Sequence, residues 1–227
     1  YKRNIVNLRS EDKEINYTEV DGIIIPGGSD IDPKWYISSV TAEFRGYLEE
    51  IKQYTEYSEL GKLRDEFEFN FLADYFSNPQ SKHQPILGIC RGMQVLTASQ
   101  GIPLYGDIKK ELGIKNRYYT LDKINITKRS SLISKLVGRQ NFRGVELHHQ
   151  GLNVDYFNRH REIWPYLEIT ALSNDGKIAE ALEFSNRPIL GVQFHPEYTF
   201  GKTRENIFKW LLKRSCLNKK TKKGKVL

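Results

Sequence analysis

Five consecutive residues constrain this chain more than any others. Gly88-Ile89-Cys90-Arg91-Gly92 lies between an apolar run, Pro85 to Ile89, and a helical pattern from Met93 to Ser99 that stops at Gly101. A side chain at the apex of a sharp strand-to-helix turn takes a strained backbone, and strand and helix approach closely only where the flanking residues are small. The two glycines meet that need. The thiol then sits near the N-terminus of the following helix, where free N–H groups and the helix dipole favour thiolate over thiol. A lone cysteine reads more readily as a small core residue. Two flanking glycines at a strand–helix junction reverse that reading and make Cys90 a candidate nucleophile.

A thiol nucleophile needs a base and a group that orients the base. Of the five histidines, only His195 stands at the end of an apolar strand with a carboxylate at short spacing, in His195-Pro196-Glu197. Pro196 restricts the preceding residue to extended geometry, and in an extended segment residues two apart point the same way. Glu197 can therefore bond one imidazole nitrogen while the other faces a thiol. A third segment, Pro26-Gly27-Gly28-Ser29-Asp30, follows the β-branched run Asp21 to Ile25. A glycine pair after a strand can turn backbone N–H groups into a pocket for an oxyanion. An ordinary turn is the plainer reading.

The frame around these segments alternates. Asp21 to Ile25 reads as a buried strand. Gly61 to Phe76 reads as a helix, with Leu63, Phe67, Phe71, Leu72 and Tyr75 inward and Lys62, Arg64, Asp65, Glu66 and Glu68 on a solvent face. Pro85 to Ile89 is a second buried strand. This order predicts an α/β fold with a mostly parallel central sheet flanked by helices. The second half is richer in strands: Ile124 to Thr127, Leu167 to Thr170, Ile178 to Phe184 after a turn at Asn174-Asp175-Gly176, and Ile189 to Phe194. Thr203 to Leu212 is an amphipathic closing helix. Residues 100–120 and 150–166 read as long irregular stretches, which are uncommon unless functional.

At 227 residues the expectation is a single domain over 1–215, with 216–227 a basic tail that lacks structure. The five lysines between 219 and 225 carry five of the seven net positive charges, so the charge does not point to nucleic acid. The longest apolar stretches are a handful of residues, against the ~20 that a spanning helix needs, so no membrane partner is expected. Cys90 and Cys216 are the only cysteines, too few for a disulfide scaffold or a four-cysteine zinc site, and a reducing cytoplasm is the expected compartment.

The three segments, in this order, resemble the class I glutamine amidotransferase superfamily, and more nearly its free-standing peptidase C26 branch, the relatives of γ-glutamyl-γ-aminobutyrate hydrolase. Gly27-Gly28-Ser29-Asp30-Ile31-Asp32-Pro33 resembles that branch's oxyanion-strand loop, and Leu87-Gly88-Ile89-Cys90-Arg91-Gly92-Met93-Gln94 its nucleophile segment. His148-His149-Gln150 resembles its substrate loop. Asp175-Gly176 with Glu180-Ala181 and Glu183 resembles the stretch before the last core strand. Gly191-Val192-Gln193-Phe194-His195-Pro196-Glu197 resembles the triad strand. The likeness runs from about residue 20 to 212.

The resemblance implies a flavodoxin-like fold with a β-rich second half, and a cysteine-dependent hydrolase of γ-glutamyl amides. It implies Cys90 as nucleophile, His195 as base and then acid, Glu197 as orienting carboxylate, and the N–H groups of Gly28 and Arg91 as oxyanion hole. Gln94, His149 and Gln150 would lie near the substrate; a polar residue on a solvent helix face is an equal reading of Gln94. Asp30 and Asp32 shape the substrate mouth or cap turns. A shared metal on His148 and His149 is not expected, because adjacent side chains on an extended segment diverge and no cysteine or carboxylate pair stands near them. Neither metal nor organic cofactor is required. A small γ-glutamyl compound is the expected partner, with a homodimer left open.

The sequence departs from the family at Gln100-Gly101-Ile102-Pro103, where a glycine pair is usual, and at Gly106-Asp107, where Gln-Asp is usual. Relatives carry a strand and helix before the segment that Tyr1 to Gly28 resembles, so either this chain starts late or that sheet edge is abbreviated. Two other function classes stay open. One is a glutaminase domain that delivers ammonia to a synthase, although such domains more often carry Leu or Tyr after the cysteine. The other is a non-catalytic relative with an idle triad.

Overall fold

The computed structural model describes residues 5–8, 16–54, 59–114, 117–173, 175–199 and 201–224. Strand β1 is Ile23–Ile25, followed by helices α1, Ala42–Ile51, and α2, Glu59–Ser77. Strand β2, Ile86–Ile89, turns directly into helix α3, Arg91–Ala98. The middle of the chain holds β3, Leu104–Tyr105; α4, Ile108–Leu112; β4, Arg117–Ile126; α5, Leu132–Val137; and β5, Asn141–His148. Then come β6, Gly151–Leu152; α6, Val154–Arg159; β7, Leu167–Ser173; β8, Ala179–Phe184; β9, Ile189–Val192; and α7, Lys202–Lys222.

Seven strands form one sheet in the order β1-β2-β9-β8-β7-β4-β5. The parallel part is β1-β2-β9, with Gly88 of β2 in register with Ile25 on one side and Gly191 on the other. The remaining pairs, β9-β8, β8-β7, β7-β4 and β4-β5, are antiparallel and make up the strand-rich second half. Each face of the sheet buries its own core. Ile86 and Ile189 join Ile25, Leu72 and Met93 on one face, while Leu87, Leu190 and Val192 join Ile133, Ile207 and Trp210 on the other. That two-sided burial is why β2 and β9 read as continuous apolar runs. At the sheet edge, β1 is buried on one face only, and Ile24 is 45% exposed although the run predicts a buried strand.

The structure also corrects how three stretches of the chain read from the sequence. The stretches 100–120 and 150–166 are not wholly irregular: β3 pairs antiparallel with β6, Leu104 against Leu152, and Ile108 N–H donates to His149 O. Two-residue strands lie below what periodicity detects. The solvent face of α2 is partly buried: Asp65 and Glu68 are inside, because the guanidinium of fully buried Arg91 pairs with both. Residues 216–222 are helical rather than without structure. Asn218 Nδ2 donates to Asp21 O, and Lys222 Nζ donates to Thr18 O and Val20 O, anchoring the last turns of α7 against the chain before β1. Asn174 and Lys225 lie outside the described residues.

All eight residues of α3 are buried, and its first turn meets the ends of β1 and β2. A Cβ at Gly92 would run into the carbonyl of Ile25, and one at Gly88 would lie 2.6 Å from Leu96 Cδ1 and 2.7 Å from Gly92 O. The Ile25 contact is to backbone, which cannot swing aside. Gly92→Ala is therefore expected to cost at least ~1–3 kcal/mol, a fall of about 3–10 °C in melting midpoint for a domain this size, read by thermal unfolding followed by circular dichroism.

Candidate active site

The strand-to-helix turn at Cys90 is built as its sequence predicts. Cys90 has φ 52° and ψ −111°, and Cys90 and Tyr119 are the non-glycine residues with positive φ among those described. A non-glycine residue is held there only when its surroundings over-determine it. Cys90 N–H donates to Val192 O at 2.8 Å, and Cys90 O accepts from Met93 N–H at 3.0 Å and Gln94 N–H at 3.2 Å. The cysteine backbone is thus fastened to β9 and to the first turn of α3. The side chain emerges between them.

His195 follows β9. Its N–H donates to Val145 O of β5 at 2.9 Å, and its carbonyl accepts from Thr199 Oγ1 at 2.9 Å. The strand ends at Val192, and His195-Pro196-Glu197 enters a turn closed by Tyr198 N–H on His195 O, not the extended segment that spacing predicts. The turn still brings the pair together: Glu197 Oε1 lies 2.7 Å from His195 Nδ1. A carboxylate can only accept, so Nδ1 donates. The other ring nitrogen, Nε2, is buried with no hydrogen-bond partner among the described residues.

Gly27 shows where that nitrogen sits. A Cβ there would lie 3.1 Å from His195 Cε1, 3.8 Å from His195 Nε2 and 3.6 Å from Cys90 Cβ. The ring edge and the thiol-bearing carbon therefore border one small space, roofed by the Pro26–Gly28 loop. Gly28 in turn packs against the side chains of Arg64 and Arg91. Sequence positions 27, 90 and 195 thus meet at the ends of β1, β2 and β9, the edge of a parallel sheet where such folds place their sites.

The loop that resembles the family's substrate loop lies against the glycine loop. His149 is half-buried, and its Nε2 lies 2.9 Å from Asp30 Oδ1, tying this loop to the glycine loop. Asp32 caps a short turn by accepting from Lys34 N–H at 2.9 Å. Gln94 is buried, not on a solvent face: its Nε2 donates to Gln150 O at 3.0 Å and Gln193 Oε1 at 3.3 Å. Gln150 itself is buried, so Gln94 supports the loop from beneath. The fold also assembles a group that sequence spacing misses. Glu146, His148 and Glu180 bring one ligand atom each within 4.8 Å of one another, all buried. His148 Nδ1 lies 2.7 Å from Gln150 O and Nε2 2.9 Å from Glu146 Oε2. The carbonyl of Gln150 can only accept, so Nδ1 donates to it, while Nε2 and the Glu146 carboxyl share the second hydrogen bond. Glu180 comes from β8, 32 residues and more away in sequence, which hides the carboxylate pair from local reading.

The electrostatics correct the thiolate expectation. Burial pushes the Cys90 thiol up to about 12; the Arg91 N–H pulls it down, and the carboxylates of Glu146, Glu197 and Glu180 push it further up. The helix N-terminus acts as predicted but loses to desolvation. For Glu197, burial raises the carboxyl, and the hydrogen bond and charge of His195 outweigh it, holding it below its ordinary value.

The Peptidase C26 family model matches residues 5–197. The chain is similar to a putative glutamine amidotransferase, PB2B2.05, of Schizosaccharomyces pombe, 26% identical over 204 residues that cover 86% of this chain and 70% of the relative. It is 31% identical over 126 residues to the γ-glutamyl-γ-aminobutyrate hydrolase PuuD of Escherichia coli, half of this chain and 46% of that protein. Among solved structures, a putative GMP synthase component of Thermoplasma acidophilum superposes with a TM-score of 0.57 at 18% identity, covering 89% of this chain and 76% of the other. The glutaminase domain of Trypanosoma brucei CTPS with bound acivicin also gives 0.57, at 16% identity, covering 88% and 72%. These two superpositions establish the class I glutamine amidotransferase fold.

A thiol that holds its proton so firmly sets an expected pH response. Alkylation of Cys90 by iodoacetamide should climb by up to about tenfold per pH unit between pH 7 and 9, because the thiolate fraction is still rising there. A plateau reached below pH 7, followed by mass spectrometry of the Cys90 peptide, would show a thiolate already formed at rest.

Proposed function

The chain belongs to the Peptidase C26 family, and from that premise we propose that it is a cysteine-dependent hydrolase of γ-glutamyl amides. The observation that supports this most is the state of His195: Nδ1 is held by Glu197 at 2.7 Å, while Nε2 is buried, unpartnered among the described residues and beside Cys90. A base so oriented is ready for one proton. His195 Nε2 removes the Cys90 proton as sulfur attacks the γ-carbonyl, so the high resting affinity of the thiol is met by transfer during attack. The carbonyl oxygen becomes an oxyanion held by the N–H groups of Gly28 and Arg91. His195 then gives its proton to the leaving amine, the C–N bond breaks, and a γ-glutamyl thioester remains on Cys90. Water loses a proton to His195, adds to the thioester and releases glutamate, restoring the thiol.

Glu197 stays ionised throughout, fixes the ring tautomer and stabilises the imidazolium. His149 and Gln150 border the glutamyl group, and Asp30 holds His149 at the mouth. The similarity to the PuuD hydrolase and the arginine after the nucleophile favour a free-standing hydrolase over a synthase component.

The test is turnover of a panel of γ-glutamyl amides, glutamine included, by the isolated chain with products identified by mass spectrometry. Cys90→Ala is expected to abolish hydrolysis with an unchanged melting curve, and Glu197→Gln to lower kcat at least about a hundredfold. Turnover retained in Cys90→Ala would end the assignment. Glutaminase activity that appears only with an added synthase would make the chain an ammonia-delivering domain instead.

A further inference from the structure

Four charged residues form one linked unit, with Arg91, Asp65 and Glu68 buried and Arg64 partly exposed. Arg91 is fully buried, and its Nη2 and Nη1 pair with Asp65 Oδ1 and Glu68 Oε2. Each carboxylate has a second oxygen, and both of these turn toward the glycine loop. Asp65 Oδ2 accepts from Asp32 N–H at 3.0 Å. Glu68 Oε1 accepts from Arg64 Nε at 2.7 Å. Arg64 then forks onto the loop itself, with Nη1 donating to Gly27 O at 2.8 Å and Nη2 to Pro26 O at 2.6 Å. A Cβ at Gly28 would collide with Arg64 Nη1 and lie 3.2 Å from Arg91 Cδ.

The connectivity matters more than the charge. One proposed oxyanion donor is the N–H of Arg91, whose own side chain is gripped by Asp65 and Glu68. The other is the N–H of Gly28, whose loop is gripped at residues 26, 27 and 32 by Arg64 and Asp65. The spacing between the two donors is therefore referred to a single rigid piece of α2. We propose that Arg64 is a positioning residue: by clamping the carbonyls of Pro26 and Gly27 to the Asp65–Glu68–Arg91 unit, it holds the Gly28 amide at working distance from the Arg91 amide. The inference rests on the proposed function. Buried ion pairs contribute little net stability, whereas a reacting group misplaced by an ångström costs about a hundredfold in rate.

The distinguishing measurement uses two reagents on the full chain at one pH. Iodoacetamide needs only the sulfur. The chloromethyl ketone analogue of glutamine also places its carbonyl oxygen in the oxyanion position while sulfur displaces chloride. Arg64 is partly exposed on α2, so Arg64→Ala removes the clamp without opening the core. Arg64→Ala is expected to keep its iodoacetamide rate within about threefold of wild type and to lose about a hundredfold with the chloroketone and in kcat, with little change in KM. Added guanidinium ion should restore part of the loss. Arg64→Lys, which keeps the charge but cannot fork onto two carbonyls, should fall between the two; it also serves if Arg64→Ala unfolds. An unchanged chloroketone rate in both variants overturns the proposal, and so does an equal slowing with both reagents, which would mark a purely structural role. A wild type that iodoacetamide labels but that ignores chloroketone and γ-glutamyl amides refutes the proposed function itself, before any variant is read.

Discussion

The close approach of α3 to the ends of β1 and β2 governs the rest of the structure. It is possible only because Gly88 and Gly92 have no side chain to place between helix and strand. The same approach leaves Cys90 at φ 52°, a conformation that the chain accepts because its N–H and C=O are both bonded and its neighbours are packed. With that corner set, β9 enters beside β2, and its continuation delivers His195 to the same end of the sheet. The meeting of the three segments is a consequence of strand order: β1, β2 and β9 are neighbours in the sheet, and each runs into one of them.

Burial then decides how the corner behaves chemically. Sulfur placed under the Pro26–Gly28 loop is desolvated, and three carboxylates stand near enough to disfavour its negative charge. Such a site holds its thiol until something takes the proton, and in the proposed mechanism that group is Nε2 of His195. The ring of His148, hydrogen-bonded to Glu146 and to Gln150 O, belongs to the same buried polar layer as Gln94, Gln150 and Gln193. This layer supports the loop from below while the contact between Asp30 and His149 ties it across the mouth.

Much of this was legible in the residues. The glycine spacing announced the corner, apolar runs announced β2 and β9, and the position of His195-Pro196-Glu197 after a core strand announced the pair, although a turn and not an extended segment makes it. What periodicity misjudged was α2. Asp65 and Glu68 look like solvent residues because charge is ordinarily exposed; nothing local says that an arginine 23 or more residues later will meet them. The signal, in retrospect, is Arg91 itself, a cation inside an otherwise buried turn that must find anions. The two-residue strands β3 and β6 escaped for a different reason: each is too short for any pattern to repeat.

Local chemistry along the chain, then, determined which residues could take a strained turn, which runs had to be buried and which histidine had a carboxylate within reach, because those properties depend on neighbours a few positions away. Only the tertiary structure decided that the thiol is more desolvated than its helix terminus can offset, that Glu180 joins Glu146 and His148, and that a charged face of α2 turns inward to hold the loop over Cys90. Desolvation and ion pairing depend on distance in space, and the strands that close those distances lie far apart in the chain.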